Sequence, residues 1–242
     1  MRTVALIPIL VLLMTCTALA QKDAPCPKPE LTICAPMVVD SVEIKEETTA
    51  YSIQINYPVL CDPDATRTMR DHVTRSLADF KKDSFDNGLP GASHMNSMAI
   101  EYAVWPAAKG RLASVKLQVM VYTGGAHPNN WPVTWVFDLT DGEPLALDEI
   151  FKDPNTALQD IAHRVRTTLS HSLGEMLLPD MLNDGTTAVA ANYADYIMND
   201  EGMVFFFAPY QVAPYAAGQQ VVTIPWKGLK KHLRPEIRKI VM

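Results

Sequence analysis

Tyr51-Ser52-Ile53-Gln54-Ile55-Asn56-Tyr57 places an apolar side chain at every second position. Successive strand side chains point to opposite faces, so this period marks a strand with one buried and one wet face. The chain then turns at Asp62-Pro63-Asp64, where an Asp cap and a proline at the first helical position form a helix start. Met69, Val73, Leu77 and Phe80 follow at helical spacing, with Arg67, Arg70, Lys81 and Lys82 left for the wet side. An amphipathic helix lying on a sheet is the expected result. It should end before Asn87-Gly88-Leu89-Pro90-Gly91, a loop by composition.

Around this unit the same patterns recur. Val38 to Lys45 and Thr49 to Tyr57 read as a hairpin turning at Lys45-Glu46-Glu47-Thr48, and strands are expected at Ser97 to Trp105, Leu112 to Tyr122 and Pro132 to Leu139. Asp153-Pro154 repeats the helix start, and Leu158, Ile161, Val165, Leu169 and Leu173 mark the buried stripe of a second helix. His163 and His171 fall off that stripe and read as surface residues. Strands at Ala191 to Met198, Met203 to Ala208 and Gln219 to Ile224 complete the set, and Pro225 opens a short helix holding Leu229 and Leu233. Two groups emerge, each with antiparallel strands and one main amphipathic helix. The fold class is α+β, with sub-domains at 36–110 and 111–242.

The amino terminus carries a different signal. Arg2, an apolar run from Val4 to Met14 and the small-residue stretch ending Ala18-Leu19-Ala20 have the order of a secretory signal peptide. Residues 1–20 are expected to be removed before Gln21, exporting the protein to the periplasm or cell envelope. Leu13-Met14-Thr15-Cys16 resembles a lipoprotein box, so a lipid anchor at Cys16 is the alternative to release. Residues 21–35 form a Pro-rich leader that holds Cys26. The mature chain offers no other stretch apolar and long enough for a membrane span.

The sequence holds 21 Lys and Arg against 27 Asp and Glu, a net charge of −6, and loss of Arg2 with the leader shifts this to about −7. An acidic chain without basic clusters in sequence is poorly suited to nucleic acid or anionic lipid. It suits a basic partner better. Export permits disulfides, and Cys34 and Cys61 flank the expected hairpin symmetrically, so they are expected to pair across its open end. Their spacing lacks the C-x-x-C form and the His partner of a redox or metal site.

Thr123-Gly124-Gly125-Ala126-His127 is the most unusual stretch. Glycines let a backbone approach a ligand, and His127 has the chemistry of a base or a metal ligand. A tight turn capped by His127 explains the same residues, and no second His or Cys stands at metal-ligand spacing. His94 and Asp138 are further acid–base candidates. Nucleophile-elbow and phosphate-loop motifs are absent. Asp148-Glu149 and Asp200-Glu201 occupy helix-entry or turn positions where acids are normally structural. In Phe205-Phe206-Phe207, strand alternation buries one aromatic set and leaves the other on the opposite face. Tyr210 and Tyr215, with Trp131, form the candidate aromatic binding surface. The candidate ligand-binding set is therefore Thr123, Gly124, Gly125, His127, Trp131, Tyr210 and Tyr215, with no metal and no cofactor.

Several motifs occur together: Tyr122-Thr123-Gly124-Gly125-Ala126-His127, Val136-Phe137-Asp138-Leu139-Thr140-Asp141-Gly142, Leu145-Ala146-Leu147-Asp148-Glu149-Ile150-Phe151, Phe205-Phe206-Phe207-Ala208-Pro209-Tyr210 and Val222-Thr223-Ile224-Pro225. Jointly they resemble the RsiV-type domain of bacterial envelope proteins. Tyr57-Pro58-Val59 and the helix after it resemble the PdaC-type domain that precedes it, named after a deacetylase. The resemblance implies an extracytoplasmic module found beside different partners. In one relative it is the external part of an anti-sigma factor that binds lysozyme; in another it precedes a separate peptidoglycan deacetylase domain. The present chain is expected to carry neither a sigma-binding segment nor that deacetylase domain. What carries over is a non-catalytic envelope binding module for a lysozyme-like muramidase or a peptidoglycan fragment. The alternatives are a cell-wall sugar hydrolase or deacetylase that uses His127 with a carboxylate, and a structural envelope component.

Overall fold

The computed structural model describes residues 35–86 and 95–242. The expected signal peptide, Cys16, Cys26, Cys34, the loop at 87–91 and His94 lie outside the described residues. Strands β1 (Val38–Glu47) and β2 (Tyr51–Leu60) form the expected hairpin, with Val42 opposite Tyr57 and Ile44 opposite Ile55. Its turn lies at Thr48–Ala50, because the Thr48 hydroxyl accepts the amides of Ala50 and Tyr51 at 3.1 and 3.0 Å. That local closure lets Glu46 and Glu47 pair as strand residues instead of forming the turn. At the open end the amide of Cys61 donates to the carbonyl of Met37 at 2.9 Å.

Asp62 then caps helix α1 (Pro63–Asp86), its Oδ1 accepting the amides of Asp64 and Ala65 at 2.9 Å. The helix crosses over the sheet, so β3 (Asn96–Ala107) returns parallel to β2. This is the one parallel pair among the described strands. Met69, Val73 and Phe80 of α1 are buried with Ile53, Ile55, Ile100, Leu117 and Val119 of the sheet. Burial of each such side chain stabilises the fold by about 1.5–3 kcal/mol.

Strand β4 (Leu112–Tyr122) pairs with β3 from Ser97–Tyr122 to Ala107–Leu112, around a turn in which Ala108, Lys109 and Gly110 all have positive φ. Position 110 therefore lies in a turn within one sheet. β5 (Asn129–Asp138) and the short β6 (Glu143–Pro144) complete the order β1-β2-β3-β4-β5-β6. At this far end Arg111 grips Asp138 through two nitrogens, at 3.0 and 2.6 Å. Burial works to raise the Asp138 carboxyl, but the bonds from Arg111 and Thr140 together outweigh it and hold the group below the usual carboxylate range.

After a single turn, α2 (Leu147–Ile150), helix α3 (Pro154–Ser172) is capped by Asp153, whose Oδ1 accepts the amides of Asn155 and Thr156. Its expected stripe from Leu158 to Leu173 is buried, and His163 and His171 are exposed. A second sheet follows α4 (Pro179–Gly185), with β8 (Gly202–Phe207) between β7 (Tyr196–Met198) and β9 (Gln220–Pro225). The Ala191 end of the expected strand is instead part of a 3-10 turn at Ala190–Tyr193. Two short helices, α5 (Trp226–Leu229) and α6 (Pro235–Val241), end the chain. Antiparallel pairing dominates both sheets, and the fold is α+β.

The small sheet corrects the expectation for the phenylalanines. Met203, Phe205 and Phe207 enter the core around α3, while Val204 and Phe206 pack with Ile197 and Trp105. Both faces are covered because the small sheet lies on the large one. Lys116 of β4 reaches the Phe206 ring, 4.9 Å from its centroid, and burial pushes its ammonium down.

Two hydroxyls fasten the sheets together. Ser114 Oγ donates to the Met198 carbonyl at 2.6 Å and accepts the Met198 amide at 2.9 Å, and Thr134 Oγ1 accepts the Tyr196 amide at 2.8 Å. Ser114→Ala leaves a buried amide and carbonyl unpaired, each costing about 1–3 kcal/mol. Urea unfolding should therefore show a loss of about 2–3 kcal/mol; a loss under about 0.5 kcal/mol would contradict this docking role.

Beside this contact lies Asp195, half-buried, whose carboxyl is pushed up to about 6 by burial against an amide bond from Thr134 that lowers it. With a folded value above the unfolded one of 3.8, its stabilising contribution is complete below about pH 4 and is lost as pH rises through about 6. Asp195→Asn should flatten the stability profile across that window and raise stability at pH 7.5 by on the order of 1–2 kcal/mol. An unchanged profile in urea melts at stepped pH would reject the assignment.

Candidate functional site

The loop between β4 and β5 is shaped by Gly124 and Gly125, with φ of 99° and 105°. No heavy atom lies within 4 Å of where a Gly125 Cβ would sit, so the backbone conformation and not lack of space calls for glycine here. Tyr122 OH donates to the Gly125 carbonyl at 3.0 Å and closes the loop. This geometry delivers His127 to the start of β5.

A second loop meets it from the end of β8. Gln211 fastens this loop at both ends of its side chain: Oε1 accepts the Ala208 amide at 3.2 Å and Nε2 donates to the Asn192 carbonyl at 3.0 Å. Gly185 lets the Gln211 backbone pass where a Cβ would collide with its carbonyl oxygen. Val212 and Ala213 are buried next to it. With the following residues anchored, Tyr210 is held at a φ of 71° and stands 56% exposed. A bulky L-residue in this region is strained, and such outliers concentrate at functional sites.

Three rings converge where the loops meet. His127 stacks on Tyr215 at 3.6 Å between centroids and 14° between planes, and Tyr210 lies 5.5 Å from Tyr215. Tyr215 OH donates to the Pro128 carbonyl at 2.8 Å. His127 Nδ1 lies 3.1 Å from that same carbonyl, and Nε2 lies 3.2 Å from Tyr210 OH. A carbonyl only accepts, so Nδ1 carries the proton and, in the neutral ring, Nε2 accepts from the phenol. Both nitrogens are thus engaged by the loops themselves. Among the described residues, no carboxylate is a partner of His127.

The remaining candidates are dispersed. Thr123 is exposed beside the glycines. Asn130 faces Tyr215, its Nδ2 3.5 Å from the phenol, and Trp131, one strand position on, therefore points to the opposite face of β5. Trp131 is 37% exposed and takes no part in the ring cluster. Asp138 lies at the other end of β5, roughly 30 Å of strand away at 3.3 Å per residue, and is committed to Arg111. Glu149 Oε2 accepts the Ala146 amide at 2.7 Å at the start of α2, and Asp200-Glu201 occupy the β7–β8 turn. Among the described residues, no group of three or more His, Cys, Asp or Glu side chains converges as a metal site.

A groove that the sequence did not reveal lies between β5, β6, α2 and residues 190–196. Its volume is about 550 Å³, and Trp135, Leu145, Leu147, Tyr196 and Asp148 line it. These residues come from separate elements and individually resemble core positions. Only the docking of β7 on β5 brings them together.

A family described as Deacetylase PdaC matches residues 44–130, and one described as Protein of unknown function (DUF3298) matches residues 148–227. Two segments of the chain are thus similar to PdaC-type and DUF3298 domains. The first contributes His127 and the second Tyr210 and Tyr215, so the ring cluster forms where the two matched segments meet. Among curated relatives, peptidoglycan-N-acetylmuramic acid deacetylase PdaC of Bacillus subtilis is 23% identical over 82% of this chain, a match that spans only 42% of that protein's length. An esterase of Mycobacterium tuberculosis is 23% identical over 72% of this chain and 75% of its own. Immunogenic protein MPT64 of the same species is 26% identical over 76% and 78%. A DUF3298-family structure from Bacteroides fragilis superposes with a TM-score of 0.58 and 20% identity, covering 85% of this chain and 98% of that one. One from Pseudomonas aeruginosa gives 0.56 and 16%, covering 81% and 95%. Both solved structures share the α+β fold.

If Tyr210 is held in strain for display, Tyr210→Gly should stabilise the protein by about 1 kcal/mol, because glycine enters the left-handed region freely. Tyr210→Ala, which keeps the Cβ, should give no such gain. Thermal melts of both variants separate the outcomes, and equal destabilisation by the two would contradict the strain.

Proposed function

We propose that this protein is an exported, non-catalytic envelope module that binds a peptidoglycan fragment through His127, Tyr210 and Tyr215. The observation that carries the reading is the stacked His127–Tyr215 pair with a strained, exposed Tyr210 beside it. Flat aromatic faces with polar tips suit a sugar ring, which presents an apolar C–H face and a polar rim. The PdaC-type and DUF3298 matches support an association with the cell envelope. No helix among the described residues is long and apolar enough to cross a membrane. The Bacillus subtilis relative, named as a deacetylase of a peptidoglycan sugar, supports the ligand class.

The second reading is hydrolysis of a cell-wall acetyl or ester group. Two relatives carry such activities in their names. Against it stands His127, whose partners are a carbonyl and a phenol instead of the orienting carboxylate that base catalysis generally uses. The lysozyme-like muramidase remains the alternative ligand. Its support is the acidic balance of the chain, which favours encounter with a basic enzyme.

Titration calorimetry with purified muropeptides tests the proposal. Wild-type protein should bind, and the double substitution Tyr210→Ala, Tyr215→Ala should weaken binding about tenfold or more, the sum of two aromatic contacts. Binding that ignores the double substitution would place the ligand elsewhere. Retention of lysozyme at low salt without muropeptide binding would favour the alternative partner, and acetate release abolished by His127→Ala would establish catalysis.

A bridge between Cys34 and Cys61 belongs to the same proposal, since export permits it and the amide of Cys61 is bonded to the carbonyl of Met37, three positions after Cys34 in sequence. A non-reducing peptide map should recover the two cysteines in one linked fragment. Recovery of both as free thiols would exclude the bridge.

A further inference from the structure

Lys227, Lys230, Lys231, Arg238 and Lys239 lie close together in sequence, and the fold sets Lys152 and Arg164 beside them to make a basic hollow. Residues 150–152 pair with 232–234 through the Phe151–Leu233 bridge and a 2.9 Å bond from the Lys152 amide to the His232 carbonyl. That pairing sets Lys152 against α5 and α6. Lys152, Arg164 of α3, Lys227, Lys230 and Lys231 of α5 and the residues after it, and Arg238 of α6 then line one concavity of about 530 Å³. An adjoining hollow of about 380 Å³ shares Lys152 and Arg238 and adds Lys239. Seven of the chain's 21 Lys and Arg residues thus line two hollows that share Lys152 and Arg238, in a protein of net charge −6.

An ordinary solvated basic face lies along one element and intersperses its charges with acids. Here the cations come from four parts of the fold, and among the described residues Asp160 is the one carboxylate in ion-pair contact with them, 3.2 Å from Arg164 and 3.7 Å from Lys231. Its remaining capacity is shared with His232, at 3.0 Å. Lys152, Lys227, Lys230 and Arg238 have no ion-pair partner among the described residues. Arg164 Nε is buried without an aligned hydrogen bond. The floor is kept open by Gly228, where a Cβ would come within 3.2 Å of Arg164 Nη1. Like charges gathered around a concavity repel one another until an anion neutralises them.

We propose that this hollow binds a phosphate-bearing anion. Arginine supplies a planar fork matched to phosphate oxygens, and lysines supply point charges from several directions. The volume accommodates more than one phosphate group, which suits a phosphate polymer or a lipid headgroup with its attached phosphodiester. The site is separate from the His127, Tyr210 and Tyr215 cluster and shares no residue with it.

The test uses the intact protein with four probes: inorganic phosphate, a short polyphosphate, vesicles of phosphatidylglycerol in phosphatidylcholine, and vesicles of phosphatidylcholine alone. Calorimetry reads the soluble probes and co-sedimentation reads the vesicles. Lys227→Glu with Lys230→Glu reverses two exposed, unpaired cations of the hollow, and circular dichroism checks that it folds. Lys82→Glu with Lys109→Glu makes the same change in net charge on α1 and in the β3–β4 turn. Wild type should bind polyphosphate or the anionic vesicles, with affinity falling as salt rises. The hollow variant should lose about tenfold or more and the control variant less than about threefold. Binding of polyphosphate alone assigns a soluble polymer, and binding of the anionic vesicles alone assigns a headgroup. Failure of wild type to bind any anionic probe, or equal losses in the two variants, would overturn the proposal.

Discussion

The hydroxyl of Ser114 spends both its donor and its acceptor on one residue, Met198, far along the chain. With Thr134 holding the Tyr196 amide, it registers the first strand of the small sheet on the middle strands of the large one. Everything in the candidate site depends on that registry. It covers the second face of β8, so Phe206 packs on Trp105 and no aromatic is left to solvent there. It also fixes where β8 ends, and hence where the 208–215 loop meets the 123–128 loop. The two hydroxyls, that of Ser114 buried and paired as both donor and acceptor, thereby position three rings contributed by two different segments.

Much of the fold was legible because its elements obey simple periods. The alternation in β2 and β4 and the stripes on α1 and α3 are one-dimensional signals, and Asp62-Pro63 and Asp153-Pro154 mark helix starts through local hydrogen bonds alone. The parallel return of β3 depends on how α1 crosses, a tertiary property that periodicity does not carry. The hairpin turn moved to Thr48–Ala50 because one hydroxyl can bind two amides, a contact that composition does not reveal.

The site was legible in part, for the same reason. Gly124-Gly125 and His127 stand out locally, and so do Tyr210 and Tyr215. The grouping of Trp131 with them ignored the period of two in β5: Asn130 faces Tyr215, so its neighbour faces away. Counting strand parity from Asn130 would have separated them. The strain at Tyr210 has no sequence signal, since it arises from anchors at Gln211, Val212 and Ala213. The basic hollow was legible only in part: Lys227, Lys230, Lys231, Arg238 and Lys239 lie close together in sequence, but Lys152 and Arg164 join them only through the fold.

The central claim is that the ring cluster, and not the groove beside Trp135 and Tyr196, is the ligand-binding surface. The most direct measurement is a muropeptide titration followed by nuclear magnetic resonance, with the aromatic and imidazole resonances assigned. The account predicts that the largest saturable shifts fall on His127, Tyr210 and Tyr215. Shifts centred on Trp135 and Tyr196, with the three rings unmoved, would contradict it.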